Sequence, residues 1–160
     1  MIIRPATPDD SDAIWDLVEP VVRAGETYPL PRDWSRAEAM AYWFFEDHDV
    51  FVAENEGLVR GTYYLHANQR GGGAHIANCG YITALDSTGR GVATAMCQHS
   101  LKHAAEHGFR AMQFNFVVSA NERAVKLWRR LGFEIVGTIP QAFEHPRFGL
   151  VDALVMHRTL

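Results

Sequence analysis

The chain has 160 residues, 48% hydrophobic and 21% charged, and its 15 Lys and Arg against 19 Asp and Glu leave a net charge of −4. A chain of this size holds a core without disulfides or a structural metal, and the acidic balance speaks against a general nucleic-acid binder. No stretch approaches the roughly 20 apolar residues of a membrane span, and Met1-Ile2-Ile3-Arg4-Pro5 lacks the basic and apolar regions of a signal peptide. The expectations are one domain over residues 1–160, a cytoplasmic location, no membrane partner, and free thiols at Cys79 and Cys97.

Ile2-Ile3-Arg4 reads as a short strand. Thr7-Pro8-Asp9-Asp10 then supplies an N-cap, a proline at N1 and an acid at N3, and Ile14, Leu17, Val18, Val21 and Val22 recur at helical spacing, with Pro20 predicting a kink or an early end. A loop over 25–31 leads to a second helix opened by the capping box Ser35-Arg36-Ala37-Glu38. Residues 50–54 and 58–66, on either side of Asn55-Glu56-Gly57, read as a hairpin, and Arg70-Gly71-Gly72-Gly73 as a flexible loop. Residues 76–85 are a third apolar strand. Thr88-Gly89-Arg90-Gly91-Val92-Ala93 then opens a long helix that buries Ala93, Cys97, Leu101 and Ala104 and ends at Gly108. After a buried strand over 111–118, Ala120-Asn121-Glu122 opens a helix carrying Ala124, Leu127, Trp128 and Leu131 and closed by Gly132. Residues 133–139 and 150–156 are closing strands around an irregular loop, 140–149. The order β α α β β β α β α β β predicts an α/β fold, with a mixed, mostly antiparallel sheet flanked by helices.

The run Gly89-Arg90-Gly91 carries the strongest chemical signal. Glycines at a helix start leave backbone N–H groups open at the positive end of the dipole, which makes an anion cradle suited to a pyrophosphate. A plain glycine-rich turn is the alternative. The segment is not a Walker loop, having no Gly-Lys-Ser/Thr, and a dinucleotide fingerprint fails at Thr94. His99, His103 and His107 repeat every four residues along the same helix, without a recognisable acidic or cysteine partner, and read as a solvated polar face with no metal.

Thr88-Gly89-Arg90-Gly91-Val92-Ala93 resembles the Gln/Arg-x-x-Gly-x-Gly/Ala signature of the GNAT family of acetyl-CoA-dependent N-acetyltransferases, with Thr88 in place of Gln or Arg. Asn121-x-x-Ala124-x-x-x-Trp128-x-x-x-Gly132-Phe133 is similar to the family's second signature, with Trp128 in place of tyrosine. The resemblance implies acetyl-CoA as cosubstrate. Backbone groups of Thr83, Ala84 and Leu85 would pair with pantetheine like an added strand. The amides of Gly89, Arg90, Gly91, Val92, Ala93 and Thr94 would hold the pyrophosphate, and Asn121 and Trp128 would contact the cofactor. The family's tyrosine gives a proton to the departing thiolate. An indole N–H cannot act as an acid near neutral pH, so Trp128 is either a cofactor contact or simply core.

A narrower resemblance lies in Asn78-Cys79-Gly80-Tyr81, in Phe114-Asn115-Phe116-Val117-Val118-Ser119-Ala120-Asn121 and in Gly25-Glu26-Thr27-Tyr28-Pro29-Leu30. Together these resemble the fungal branch that acetylates proline analogues such as azetidine-2-carboxylate. Asparagine is disfavoured within strands, so Asn78 and Asn115 are expected either to face the carboxylate of a small substrate, with Tyr28 beside them, or to bind local backbone. Glu26 and His75 are the candidate bases for the substrate amine, whose unperturbed pKa is near ~10.

The resemblance implies acetyl transfer from acetyl-CoA to an amine of a small molecule, an amino acid or proline analogue among them, by direct attack in a ternary complex. Backbone N–H groups of the Thr83 to Leu85 strand would stabilise the developing oxyanion. An enzyme acting on protein or peptide amines, and an acyl-CoA-binding module without catalysis, would share the same cofactor residues. A closed pocket capped by the 25–31 loop would suit an amino acid, an open groove a peptide. A homodimer stays open.

Overall fold

The structure, a computed structural model, describes residues 1–160. Its elements are β1 (Ile2–Pro5), α1 (Ser11–Ala24), α2 (Arg36–Trp43), β2 (Asp49–Asn55), β3 (Leu58–Ala67), β4 (Ile76–Thr83), α3 (Val92–Glu106), β5 (Ala111–Val118), α4 (Glu122–Arg130), β6 (Glu134–His145) and β7 (Gly149–Thr159). The strands form one seven-stranded sheet in the order β1-β2-β3-β4-β5-β7-β6, antiparallel except where β4 meets β5. Order and sheet type agree with the sequence reading.

Alternation along the strands sorts their side chains onto two faces. Val52, Tyr64 and Ile82 pack with Ile14, Leu17, Val18 and Val22 of α1 and with Ala39 and Trp43 of α2. Tyr63, Leu65, Cys79, Met112 and Phe114 pack with Val92, Met96, Cys97, Leu101 and Ala104 of α3 and with Trp128 of α4. The helices thus sit in pairs on opposite faces, and the central strands are buried on both sides.

Three expectations change. α1 continues past Pro20 to Ala24 and ends at Gly25 in the left-handed conformation, φ 63°. Four buried aliphatic residues bracket that proline, and at about 1.5–3 kcal/mol each their burial exceeds the ~3 kcal/mol cost of an interior proline. Residues 140–145, expected in a loop, belong to β6. The register shifts between Ile139 and Phe143, where Gln141 sits at φ 50° and donates its N–H to Asp152 Oδ1 at 3.0 Å. A bulge on an edge strand absorbs Pro140 without breaking the ladder. The histidine row is only partly solvated: the rings of His99 and His103 lie 5.2 and 4.9 Å from that of Phe51. His99 Nδ1 is 2.6 Å from Tyr63 Oη, His103 Nε2 is 3.2 Å from Asp49 Oδ2, and His107 alone is exposed.

Candidate active site

β4 and β5 pair only at Ile76 with Ala111 and Ala77 with Met112, and then diverge. At the fork Asn78 Nδ2 donates to the Gln113 carbonyl at 2.9 Å. Beyond it lies a cleft of about 830 Å³, walled by β4, the start of α3, the second half of β5, α4 and the segment after α1.

The β4 wall is an open strand edge. Ala84 N–H donates to the Arg60 carbonyl at 2.9 Å and Asn68 N–H to the Ile76 carbonyl at 2.7 Å. In an antiparallel ladder alternate residues bond the same neighbour, so Ile76, Asn78, Gly80, Ile82 and Ala84 face β3. The backbone groups of Cys79, Tyr81 and Thr83 therefore turn into the cleft. The Tyr81 carbonyl accepts the Tyr28 hydroxyl at 2.9 Å, and the rest of the edge is free for an extended, amide-bearing chain.

At the end of that edge the chain turns through Gly89 and Gly91, at φ 77° and 80°, into α3. Ala95 N–H makes the first helical bond, to the Gly91 carbonyl at 2.9 Å. The N–H groups of Gly89, Gly91, Val92, Ala93 and Thr94 have no acceptor within the protein. Nothing lies within 4 Å of where a Cβ on either glycine would sit, so these residues serve a left-handed turn rather than close packing. Arg123 of α4 reaches across to donate to Thr88 Oγ1 at 3.3 Å, which sets a guanidinium beside the five free amides. A fan of donors at a helix N-terminus with an adjacent cation fits a diphosphate.

Comparison with known proteins agrees with this geometry. The family described as Acetyltransferase (GNAT) family matches residues 13–133. The chain belongs to the GNAT family. It is similar to N-acetyltransferase aca1 of Schizosaccharomyces pombe, 26% identical over an alignment of 152 residues, with 84% of this chain and 72% of that protein covered. It is also similar to the solved structure of a GCN5-related N-acetyltransferase from Kribbella flavida, at 40% identity and a TM-score of 0.95 over 99% of this chain and 97% of that one. The GNAT phosphinothricin acetyltransferase from Sinorhizobium meliloti, solved in complex with AcCoA, shares the fold at 22% identity and a TM-score of 0.86 over 99% and 88% of the two chains. This GNAT chain is an acetyl-CoA-dependent N-acetyltransferase.

The cleft gathers most of the residues singled out in the sequence: Glu26, Tyr28, Asn78, Thr83, Leu85, Gly89, Gly91, Val92, Ala93, Thr94, Asn115, Asn121 and Trp128. Three residues depart from expectation. Ala84 has both backbone groups engaged, its N–H on Arg60 and its carbonyl on Ser87 N–H, so Tyr81 and Cys79 replace it on the free edge. Arg90 spends its N–H on the Ser87 carbonyl at 3.2 Å, and its exposed side chain lies outside the cleft. His75 is exposed just before β4, at the end away from the glycine turn, and does not line the cleft.

Local partners refine the others. Asn121 caps α4, its Oδ1 accepting Ala124 N–H at 3.3 Å. Trp128, 9% exposed, has its ring 5.2 Å from that of Tyr81 and 5.1 Å from that of Phe114. Its indole N–H meets no protein acceptor, and no fully buried side-chain nitrogen or oxygen is unpaired, so that N–H reaches the cleft surface. Core and cleft-wall roles coincide in this residue. Asn78 is buried at the fork, whereas Asn115 is exposed, donating to Asn68 Oδ1 at 2.6 Å and accepting from Gln113 Nε2 at 2.9 Å. Glu26 is the one carboxylate on the cleft wall, and Arg147, from the turn between β6 and β7, holds it at 3.2 Å. Burial raises both thiols, Cys97 to about 12 and Cys79 further, so neither is a nucleophile near neutral pH.

Tyr42, Tyr64 and Arg123 also line the cleft and escaped the sequence reading. The two tyrosines carried no signal beyond apolar patterning. Arg123 carried one: a cation in the first turn of a helix opposes the dipole, which points to a purpose outside the helix.

Proposed function

We propose that this enzyme acetylates the amine of a small amino acid, proline analogues included, in a ternary complex with acetyl-CoA. Bound acetyl-CoA supplies an activated acetyl thioester. The amides of Gly89, Gly91, Val92, Ala93 and Thr94, with Arg123, hold its diphosphate, and the open backbone of Cys79 and Thr83, with the Tyr81 N–H, orients its amide-bearing arm. Glu26 takes the proton that an ammonium group must lose before its lone pair is available.

One observation carries the choice of acceptor. The Tyr28 hydroxyl bond to the Tyr81 carbonyl pins the 25–31 segment onto the β4 edge, and the Glu26–Arg147 ion pair spans the same side. That arrangement supports a capped pocket for a small acceptor rather than an open groove for a peptide. The segments around Asn78 and Asn115 and their likeness to the proline-analogue branch support it further. The test is product detection by mass spectrometry after incubation with acetyl-CoA and single amines. Acetylated azetidine-2-carboxylate or another free amino acid, with little acetylated peptide, supports the reading; acetylation of the peptide alone contradicts it.

A further inference from the structure

The wall of the cleft facing the 25–31 segment is phenolic. Tyr42 and Tyr64 line it, with Tyr28 of the segment beside them; the cleft-lining Arg123 and Arg130 belong to α4, and Arg147 is held on Glu26. The Tyr28 hydroxyl is committed to the Tyr81 carbonyl. The hydroxyls of Tyr42 and Tyr64 lie 3.0 Å apart and meet no other protein group. Each phenol carries one O–H, so the pair holds two protons and uses one internally. One O–H therefore remains to donate into the cleft. Burial pushes the Tyr64 phenol well above its ordinary value, with neighbouring Tyr28 and Tyr42 acting in the same direction, so the Tyr64 hydroxyl keeps its proton and can donate.

Tyr64 is also rigidly placed. Its ring stacks on that of His48 at 4.3 Å and 7°, and Trp43 meets it edge-on at 4.9 Å. Trp43 is itself fixed by its indole N–H on Thr62 Oγ1 at 3.1 Å, and His48 Nδ1 lies 3.0 Å from the Trp43 carbonyl. The Tyr64 ring lies directly over Gly80: a Cβ there would come within 2.6 Å of Tyr64 Cε1 and Cζ and 2.7 Å of Oη. Gly80 follows Asn78 on the same face of β4 and precedes Tyr81, whose backbone forms the open edge. Only a residue without a side chain lets the hydroxyl pair occupy this position.

We propose that the Tyr42–Tyr64 pair is the hydrogen-bond donor that recognises an acceptor group on the amine substrate, a carboxylate on the amino-acid reading above, on which this rests, and that Gly80 is the specificity-determining residue that admits it. A site built to donate discriminates against an analogue that offers nothing to accept. Two neutral hydroxyls select for an acceptor oxygen without an arginine clamp.

The test compares azetidine-2-carboxylate with azetidine, the same amine without a carboxylate, on the wild type, Tyr64→Phe, Tyr42→Phe and Gly80→Ala, with acetyl-CoA affinity measured on each by calorimetry. The wild type should favour the carboxylated amine in kcat/KM. Tyr64→Phe should cut that preference by about ten- to a hundredfold, through KM, with acetyl-CoA affinity unchanged, because a bond to a charged group is lost. Gly80→Ala should do the same by displacing the ring, so the proposal does not depend on one variant folding. Equal kcat/KM for the two amines in the wild type, or an unchanged ratio in both phenylalanine variants, overturns the proposal while leaving acetylation of small amines intact. No binding or turnover of either amine by the wild type overturns this proposal and the amino-acid reading together.

Discussion

Tyr28 donates its hydroxyl to the backbone carbonyl of Tyr81 across 2.9 Å, joining a loop after the first helix to the open edge of the fourth strand. The bond leaves the neighbouring backbone of Cys79 and Thr83 free while closing the cleft on one side. On the proposed reading, the cofactor edge and the acceptor pocket share this one strand.

The first prediction separates the anion cradle from the strain of its turn. Gly91→Glu puts a side chain and a negative charge where the free amides converge, and should abolish measurable acetyl-CoA binding by calorimetry. Gly57, at φ 76° in the β2–β3 turn with the same open surroundings, is the control. Gly57→Ala carries a comparable left-handed penalty of about 1–2 kcal/mol and should lower Tm while leaving acetyl-CoA affinity unaltered.

Asn78 and Asn115, paired in the sequence reading, should behave differently. Asn78→Ala strands the Gln113 carbonyl at the fork and should cost about 1–3 kcal/mol of stability, seen as a lower Tm with both ligands weakened. Asn115 is exposed, so Asn115→Ala should leave Tm nearly unchanged and raise the KM of the amine by roughly tenfold or more. Equal loss of stability in both variants would remove the substrate role of Asn115.

Much of this architecture is legible in the sequence because its signals are local. The capping box at Ser35 and Glu38, the Asn55-Glu56-Gly57 turn and the glycines before α3 each act within a few residues of themselves. What the sequence does not reveal depends on distant partners. β6 runs on through Pro140 because β7 pairs with it, and α1 runs past Pro20 because the sheet holds its buried stripe. The cleft divides in the same way: the diphosphate cradle is contiguous, whereas Tyr42 and Tyr64 meet only through packing, and Ala84 and Arg90 lose their amides to bonds that no spacing reveals.

Proton transfer gives the third prediction. Glu26→Gln keeps the shape of the only carboxylate on the cleft wall and removes its basicity, so kcat/KM for the amine should fall by about a hundredfold or more near neutral pH, the range of a positioned acid–base group. Trp128→Phe keeps an aromatic ring against Tyr81 and Phe114 and deletes only an N–H that cannot act as an acid. Its turnover should stay within about a hundredfold of the wild type. An unchanged rate in Glu26→Gln would remove its role as base, and a loss beyond about a hundredfold in Trp128→Phe would contradict a packing role for that ring.

Acid stability should depend on Asp10. Its carboxylate accepts two bonds from Arg4 at 2.8 Å and one from Thr7 N–H at 2.8 Å. Chiefly through the Arg4 guanidinium, its pKa falls from 3.8 to about 2. A lowered folded-state pKa stabilises the protein above the unfolded value, and the contribution is lost as pH falls from about 4 towards 2. Screening of the partly exposed Arg4 keeps it at about 1–2 kcal/mol. Asp10→Asn should lower Tm at pH 7 and flatten the dependence of Tm on pH between 4 and 2; an unchanged acid limb would contradict the assignment.

The most direct test of the account is a competition experiment. Azetidine-2-carboxylate or another free amino acid is mixed with a short peptide bearing that residue at its N-terminus, acetyl-CoA is added, and the two acetylated products are quantified over the first few per cent of turnover to give the ratio of kcat/KM. With the acceptor pocket capped by Tyr28 and lined by neutral donors, the free amino acid should be preferred by at least about tenfold, the value of one bond to its carboxylate. A ratio near one, or a preference for the peptide, would contradict the account.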